Sequence, residues 1–239
     1  MTADQKGRLD ALIETLTALP SSDGLMNPYA SAMGPAPEAA GGEIGKEADR
    51  IRIHNLRRIL SALVGAGANV LCCGEAPGHL GARFSGYAFS SEREIIQGRF
   101  PFEDCRLLPA AAAGSRPPRE EPSALYMWRA MARRDVPAVF HNACPLHPHE
   151  PGHPYTNRKP TREEVRLGGP ALMQLVDLVQ PQRVIAVGRT AERALRDLGI
   201  DAVTVRHPSY GGAPLMMRQL EQMGVIDPPP PPPQIGLFG

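Results

Sequence analysis

The residues with most to offer chemically stand in three short segments, Gly74-Glu75-Ala76-Pro77-Gly78, His141-Asn142 and His207-Pro208-Ser209, each directly after a short apolar run. A carboxylate can take up a proton or face a growing positive charge. A primary amide presents one donor and one acceptor, and a neutral imidazole donates from one nitrogen while accepting at the other. Brought together, a carboxylate, an amide and two imidazoles make an acid–base and hydrogen-bonding constellation, a catalytic arrangement in outline. Each residue also has a plainer reading. Glu75 could cap the turn that follows it, Asn142 could be a strand-end turn residue, and His207 could bond a loop carbonyl. Their joint occurrence favours the catalytic reading.

The elements that would position them are legible from periodicity. Short apolar runs at 69–73, 138–141, 184–187 and 202–205 read as strands, each too short for a helix and bounded by turn residues. They alternate with amphipathic helical stretches, the pattern of a parallel sheet. The expected fold is α/β: a three-layer α/β/α arrangement with a central, mainly parallel four-stranded sheet and extra N-terminal helices. In such sheets ligands bind beyond the carboxyl ends of the strands, where the three segments fall. Ser91 with Glu94 and Thr161 with Glu164 have capping-box spacing and mark helix starts, while Gly98 and Gly199 suit the left-handed position after helix ends. Upstream, Leu9, Leu12, Ile13, Leu16 and Leu19 recur at helical spacing before Pro20, and a second helical pattern over 48–63 stops at Gly65 and Gly67. Between them 33–45 is rich in Pro, Ala and Gly and reads as a loop. Residues 1–68 are therefore expected as a helical extension packed on the core, 69–226 as the α/β domain, and 227–239 as a tail.

Composition narrows the classes. At 239 residues with 42% apolar and 21% charged residues, the chain suits one globular domain with appendages. The net charge is +1, so any nucleic-acid surface must come from how charges are distributed. Lys6, Lys46 and Lys159 are the only lysines, which leaves arginine carrying nearly all the positive charge; arginine can clamp phosphates bidentately, but a genome composition that favours Arg, Ala, Gly and Pro accounts for the bias more simply. Cys72, Cys73, Cys105 and Cys144 have no C-x-x-C spacing, and no apolar leader or membrane-length stretch occurs. A soluble, cytoplasmic, monomeric protein without membrane contact is expected.

Taken in order, GEAPG, Phe89 within Ala88-Phe89-Ser90, Asn142 after a strand, and His207-Pro208-Ser209 resemble the uracil-DNA glycosylase superfamily. The similarity is greatest to the bacterial and archaeal group that carries GEAPG, because Asn157-Arg158-Lys159-Pro160-Thr161 before a helix also resembles that group; it spans about 69–223. The resemblance implies a DNA-repair enzyme that hydrolyses the N-glycosidic bond of uracil in DNA and leaves an abasic site, without a cofactor. Glu75, His207 and Asn142 would carry the chemistry. Glu75 would position water and face the oxocarbenium-like sugar, while His207 would stabilise the oxyanion on the departing ring. Asn142 would read the uracil edge, whose donor–acceptor pattern cytosine reverses. Gly74, Ala76, Pro77 and Gly78 would line the base site and Phe89 would stack on the flipped base. Ser85, Arg189, Arg206, Ser209, Gly211 and Gly212 would touch the DNA backbone, and Tyr210 or Leu215 would fill the gap the base leaves.

The chain departs from the family in three ways. Uracil and thymine differ by one methyl, yet the position where the classical enzymes place a blocking tyrosine is Gly78, and the GEAPG group's glutamate corresponds to Gly81. His79, Leu80 and Arg83 are the substitutes nearby. The GEAPG group's iron–sulfur cysteines have no counterpart in 1–68, so no cluster is expected. The segment 97–108 does not resemble the basic loop of the covalent-trapping branch, which favours hydrolysis. His141, His147, His149 and His153 crowd one stretch, but the interleaved prolines Pro145, Pro148, Pro151 and Pro154 break any metal-ligand spacing, and no metal is expected.

After Asp227 come six prolines, Pro228 to Pro233, then Gln234-Ile235-Gly236-Leu237-Phe238-Gly239. Polyproline is a stiff spacer. The end resembles the Q-x-x-L-F peptide by which bacterial repair proteins dock on the sliding clamp, which implies a clamp contact through Gln234, Leu237 and Phe238; the plain alternative is a tail with chance hydrophobes. Two rival functions stay open, a glycosylase for another deaminated base such as hypoxanthine or xanthine, and a damage-binding adaptor without catalysis.

Overall fold

A computed structural model describes residues 1–31 and 43–228. The Pro/Ala/Gly loop lies largely outside them, as does the clamp-like peptide. The chain opens on helix α1 (Ala3–Thr17), whose start is a capping box: the Thr2 hydroxyl accepts from the Gln5 N–H at 3.2 Å and the Gln5 side chain accepts from the Thr2 N–H at 2.9 Å. Leu9, Leu12, Ile13 and Leu16 form its buried stripe. They pack chiefly on α8 (Gly169–Val179), so the unpartnered face read from the sequence finds its surface there. A two-residue strand β1 (Leu25–Met26) pairs antiparallel with β4 (His147–Pro148). Periodicity cannot reveal a pairing this short, and none was expected. Helix α2 (Lys46–Gly65) buries Leu56, Ile59, Leu60 and Leu63, and Gly67 leaves it at φ 76°.

The sheet follows: β2 (Val70–Gly74), β3 (Ala138–Asn142), β5 (Arg183–Val187) and β6 (Val203–Val205), in spatial order β3-β2-β5-β6 and parallel throughout. The four expected strands are all present, displaced at their ends by one residue at most. Every residue of β2 and β3 is buried, so these strands read as unbroken apolar runs because helices cover both faces. Crossovers supply those helices. Between β2 and β3 lie α3 (Ala82–Ser85), α4 (Glu92–Gln97), α5 (Pro109–Ala112) and α6 (Pro122–Met131). Beyond β4 come α7 (Arg162–Leu167) and α8, then α9 (Arg189–Asp197) after β5 and α10 (Ala213–Gln222) after β6. Both capping boxes form, Ser91 with Glu94 and Thr161 with Glu164, and Gly98 and Gly199 adopt φ 57° and 69°. One apolar cluster runs from α1 and α2 through the sheet to Val225 and Ile226.

Since α1 shares that cluster, Leu12→Ala should cost about 2–5 kcal/mol of unfolding free energy, the range for a leucine deleted from a packed core. Urea denaturation measures this, and a loss under about 1 kcal/mol would mean that α1 is not part of the cooperative core.

Candidate active site

The parallel register sets Gly74, the last residue of β2, level with Asn142, the last of β3. Pairing continues past both strands, with the Ala143 N–H donating to the Gly74 carbonyl and the Cys144 N–H to the Glu75 carbonyl, each at 2.9 Å. A Cβ on Gly74 would lie 2.7 Å from both Asn142 Oδ1 and the Phe89 ring. Only glycine lets the carboxamide and the ring close over this strand end. Asn142 is buried, and its carboxamide has no hydrogen-bond partner among the described residues.

Phe89 sits at φ 48°, unusual for a side chain of its size. The Trp128 Nε1–H donates to its carbonyl at 2.8 Å, and its ring packs edge-on to Phe140 at 5.6 Å. Strained conformations of this kind persist where surroundings over-determine them, and they gather at functional sites. The ring lies 6.1 Å from the His207 ring at a 35° tilt, which links the β3 end of the sheet to the β6 end.

His207 lines a cleft of about 950 Å³ together with Glu75, Ala76, Pro77, Gly78 and Thr190. Pro208 turns the chain so that the Ser209 N–H donates to His207 Nδ1 at 3.2 Å. Nδ1 is therefore an acceptor, and Nε2 carries the proton of a neutral ring. Burial pushes the His207 pKa below its ordinary value, against the opposing pull of Glu75 and with a small contribution from Arg206, so neutrality at pH 7 is reinforced. Glu75 accepts a hydrogen bond from the Thr190 hydroxyl, in the first turn of α9.

The GEAPG turn is held from outside. His147 Nδ1 donates to the Pro77 carbonyl at 2.8 Å, and Asn157 Oδ1 accepts from the His79 N–H at 2.8 Å. Of the crowded histidines, His147 and His149 have structural work, the two rings stacking at 5.4 Å, whereas His141 is buried with its Nε2 unpartnered among the described residues. The loop after β6 carries Tyr210 fully exposed at φ 53°, and a Cβ on Gly212 would collide with the His207 carbonyl, so that turn folds back tightly on the His207 backbone.

The structure thus brings Asn142, Phe89 and His207 together at one strand-end edge, and it places Glu75, His207, Arg189, Arg206, Ser209, Tyr210 and Leu215 on the cleft wall, whereas Asn142 and Phe89 are buried beside it and do not line it. Ser85 does not join them. It is fully buried, and its hydroxyl bonds Tyr87, Ser90 and the Ser90 hydroxyl within its own loop, which leaves it nothing to offer a phosphate. Arg83 is also elsewhere, its guanidinium stacked over the Phe84 and Tyr155 rings at 5.0 and 4.7 Å. Thr190, Trp128 and Glu121 escaped the sequence reading. Thr190 could have been found, because it follows a strand end as the other site residues do. Glu121 gave no local signal: it lies just before α6 and reaches the cleft across Gly78 and Gly81.

Positive charge gathers nearby. Lys159 and Thr190 line both the cleft and a second hollow of about 430 Å³ walled by Arg162, Arg166, Arg193 and Arg196. Among the described residues these cations have no carboxylate partner, whereas Arg158 on the cleft wall pairs with Glu164, and Arg8, Arg57, Arg58, Arg93, Arg116 and Arg133 are paired away from the cleft. A net charge of +1 therefore conceals a basic track beside the cleft.

Residues 62–221 match the sequence profile of the Uracil DNA glycosylase superfamily. The chain belongs to that superfamily. It is a DNA glycosylase of base excision repair. A crystal structure of Pedobacter heparinus SMUG2 shares the fold, with a TM-score of 0.58 and 13% identity over 91% of this chain and 97% of that one. No curated protein matches by sequence. Among the described residues of this glycosylase, no helix is long and apolar enough to cross a membrane.

Burial lowers the pKa of His141 to about 4 and of His147 to about 3. The unfolded chain, with histidines near 6.5, binds protons that the folded chain refuses, so this stability is complete above about pH 6.5 and declines below it. We expect each ring to remove about 1.4 kcal/mol per pH unit as pH falls from 6.5 toward 4.5. Urea midpoints across that interval test this, and a flat profile would contradict it.

Proposed function

We propose that this glycosylase hydrolyses the N-glycosidic bond of uracil in DNA, releasing the free base and leaving an abasic site. The observation that carries the reading is the neutral His207, whose Nδ1 is committed to the Ser209 N–H on a ring beside Phe89, while the unpartnered Asn142 carboxamide stands across the Gly74 strand end. An amide that can donate to O4 and accept from N3–H, with an N–H donor for O2, complements uracil.

In this reading the flipped base enters against Phe89, and the C1′–N1 bond breaks with its electron pair leaving on the ring. His207 Nε2–H meets the charge as it grows on O2. Such a donor acts without taking up a proton and costs no reorganisation at the moment of reaction, because it is already in place. Glu75, held by Thr190, faces the positive sugar and orients the water that adds to C1′, taking up its proton. Tyr210, fully exposed on its tight turn, is favoured over the half-exposed Leu215 for filling the vacated stack. The DNA backbone follows the basic track past Arg189, Arg206 and Lys159, with Ser209, Gly211 and Gly212 at its edge.

Single-turnover release from oligonucleotides carrying one uracil, hypoxanthine or xanthine tests the reading. Uracil should be the fastest, and His207→Ala and Asn142→Ala should each slow its release by about 10²–10³-fold, as loss of an oxyanion or base-edge donor does. Faster release of hypoxanthine or xanthine would replace uracil as substrate, and no release of any base would favour an adaptor.

We further propose that the tail binds the bacterial sliding clamp through Gln234, Leu237 and Phe238, with the proline run as spacer. Surface plasmon resonance on immobilised clamp should give binding by the full chain that Leu237→Ala with Phe238→Ala abolishes; equal binding by that variant would dismiss the contact.

A further inference from the structure

A uracil with O2 toward His207 and N3–O4 toward Asn142 has one edge left, C5–C6. On the cleft wall Gly78 and Glu121 stand together, where the Glu121 side chain inserts into the turn from Gly78 to Gly81. Neither glycine has a side chain to fill the space. A Cβ on Gly81 would overlap Glu121 Oε2, and one on Gly78 would lie 3.6 Å from Oε1. The carboxyl thus occupies the volume that a side chain at 81 would take, although it arrives from a segment forty residues later.

Nothing in the packing requires a carboxyl here. Glu121 is the residue before α6, yet it makes no side-chain cap bond to that helix and no ion pair among the described residues. Among the described residues its carboxyl accepts one hydrogen bond, from the Ser123 hydroxyl, which fixes the group in the turn. It also borders a second hollow of about 520 Å³ lined by His79, Leu80 and Tyr126, so it forms the partition between two spaces. Burial, opposed by the Ser123 bond and aided by Glu94, raises its pKa to about 7, a cost that a merely solvated side chain would avoid by turning outward.

We propose that Glu121 decides which substituent the site accepts at position 5 of the pyrimidine, its carboxyl closing the wall between Gly78 and Gly81 against a methyl group. The inference rests on the uracil reading above. Two effects act together. The carboxyl fills the space a methyl would need, and a methyl pressed against it would strip its remaining hydration. His79 and Leu80 stand on the far side of this partition and Arg83 is buried away from the cleft, so none of the three does this task.

The test measures kcat/KM for uracil and for thymine, each opposite guanine in the same duplex, and takes their ratio. Glu121→Ala should lower the ratio by roughly 10–100-fold, the discrimination one methyl carries in a shaped pocket. Glu121→Gln, of equal volume, should keep it within about threefold of the wild type. Circular dichroism confirms that each variant folds; if Glu121→Ala does not, Glu121→Asp, one methylene shorter, should lower the ratio by a smaller factor. An unchanged ratio in the folded Ala or Asp variant overturns the proposal, as does a Gln variant that admits thymine as readily as Ala. If the wild type releases another base and no uracil, the failure belongs to the substrate reading; if it releases uracil and the ratio does not move, it belongs to Glu121 alone.

Discussion

The site depends on the absence of one methyl-sized group, the Cβ that Gly74 does not have. Parallel pairing of β2 with β3 puts Gly74 beside Asn142, and the missing side chain lets the Asn142 carboxamide and the Phe89 ring approach the same point at the strand end. Any larger residue there would push the two apart and with them the surface on which a flat ring could rest and be read. Register and a single glycine therefore decide whether an amide, an aromatic face and an imidazole stand side by side at one strand-end edge or on three separate loops.

Around that point several groups are held by a hydrogen-bond partner, most of them from a distant segment. Thr190 fixes Glu75, Ser209 fixes the tautomer of His207, Trp128 fixes Phe89 through its carbonyl, and His147 and Asn157 fix the turn between Pro77 and His79. This is preorganisation in physical terms: the orientation of donors and dipoles is settled during folding, so little is spent on it when charge separates across a breaking bond. The buried His147 belongs to the same framework: an imidazole that donates to a loop carbonyl inside a low-dielectric interior stays neutral and rigid.

Electrostatics follow the same economy of placement. The chain is nearly neutral, but its carboxylates pair with arginines on α1, α2 and α4, with Arg116 and Arg133 and, at the cleft, with Arg158, while among the described residues Lys159, Arg162, Arg166, Arg193 and Arg196 beside the cleft have no carboxylate partner. A polyanion would therefore be guided by local excess charge rather than by the net value.

Much of the scaffold was legible in the residue order because its causes are local. Strand runs, helix stripes, capping boxes at Ser91 and Thr161 and the left-handed glycines at 98 and 199 each depend on neighbours a few positions away. The three motif segments were legible as strand-end residues for the same reason, and Thr190 was within reach of that rule. What depended on tertiary structure was every relation between residues far apart in the chain. Packing buried Ser85 and Arg83, paired β1 with β4, and drove the Glu121 carboxyl into the space above Gly81. By itself the order of residues determined which chemistry the strand ends could offer; the three-dimensional packing decided which groups reach the cleft, because occupancy of space is settled by contacts whose partners no local pattern announces.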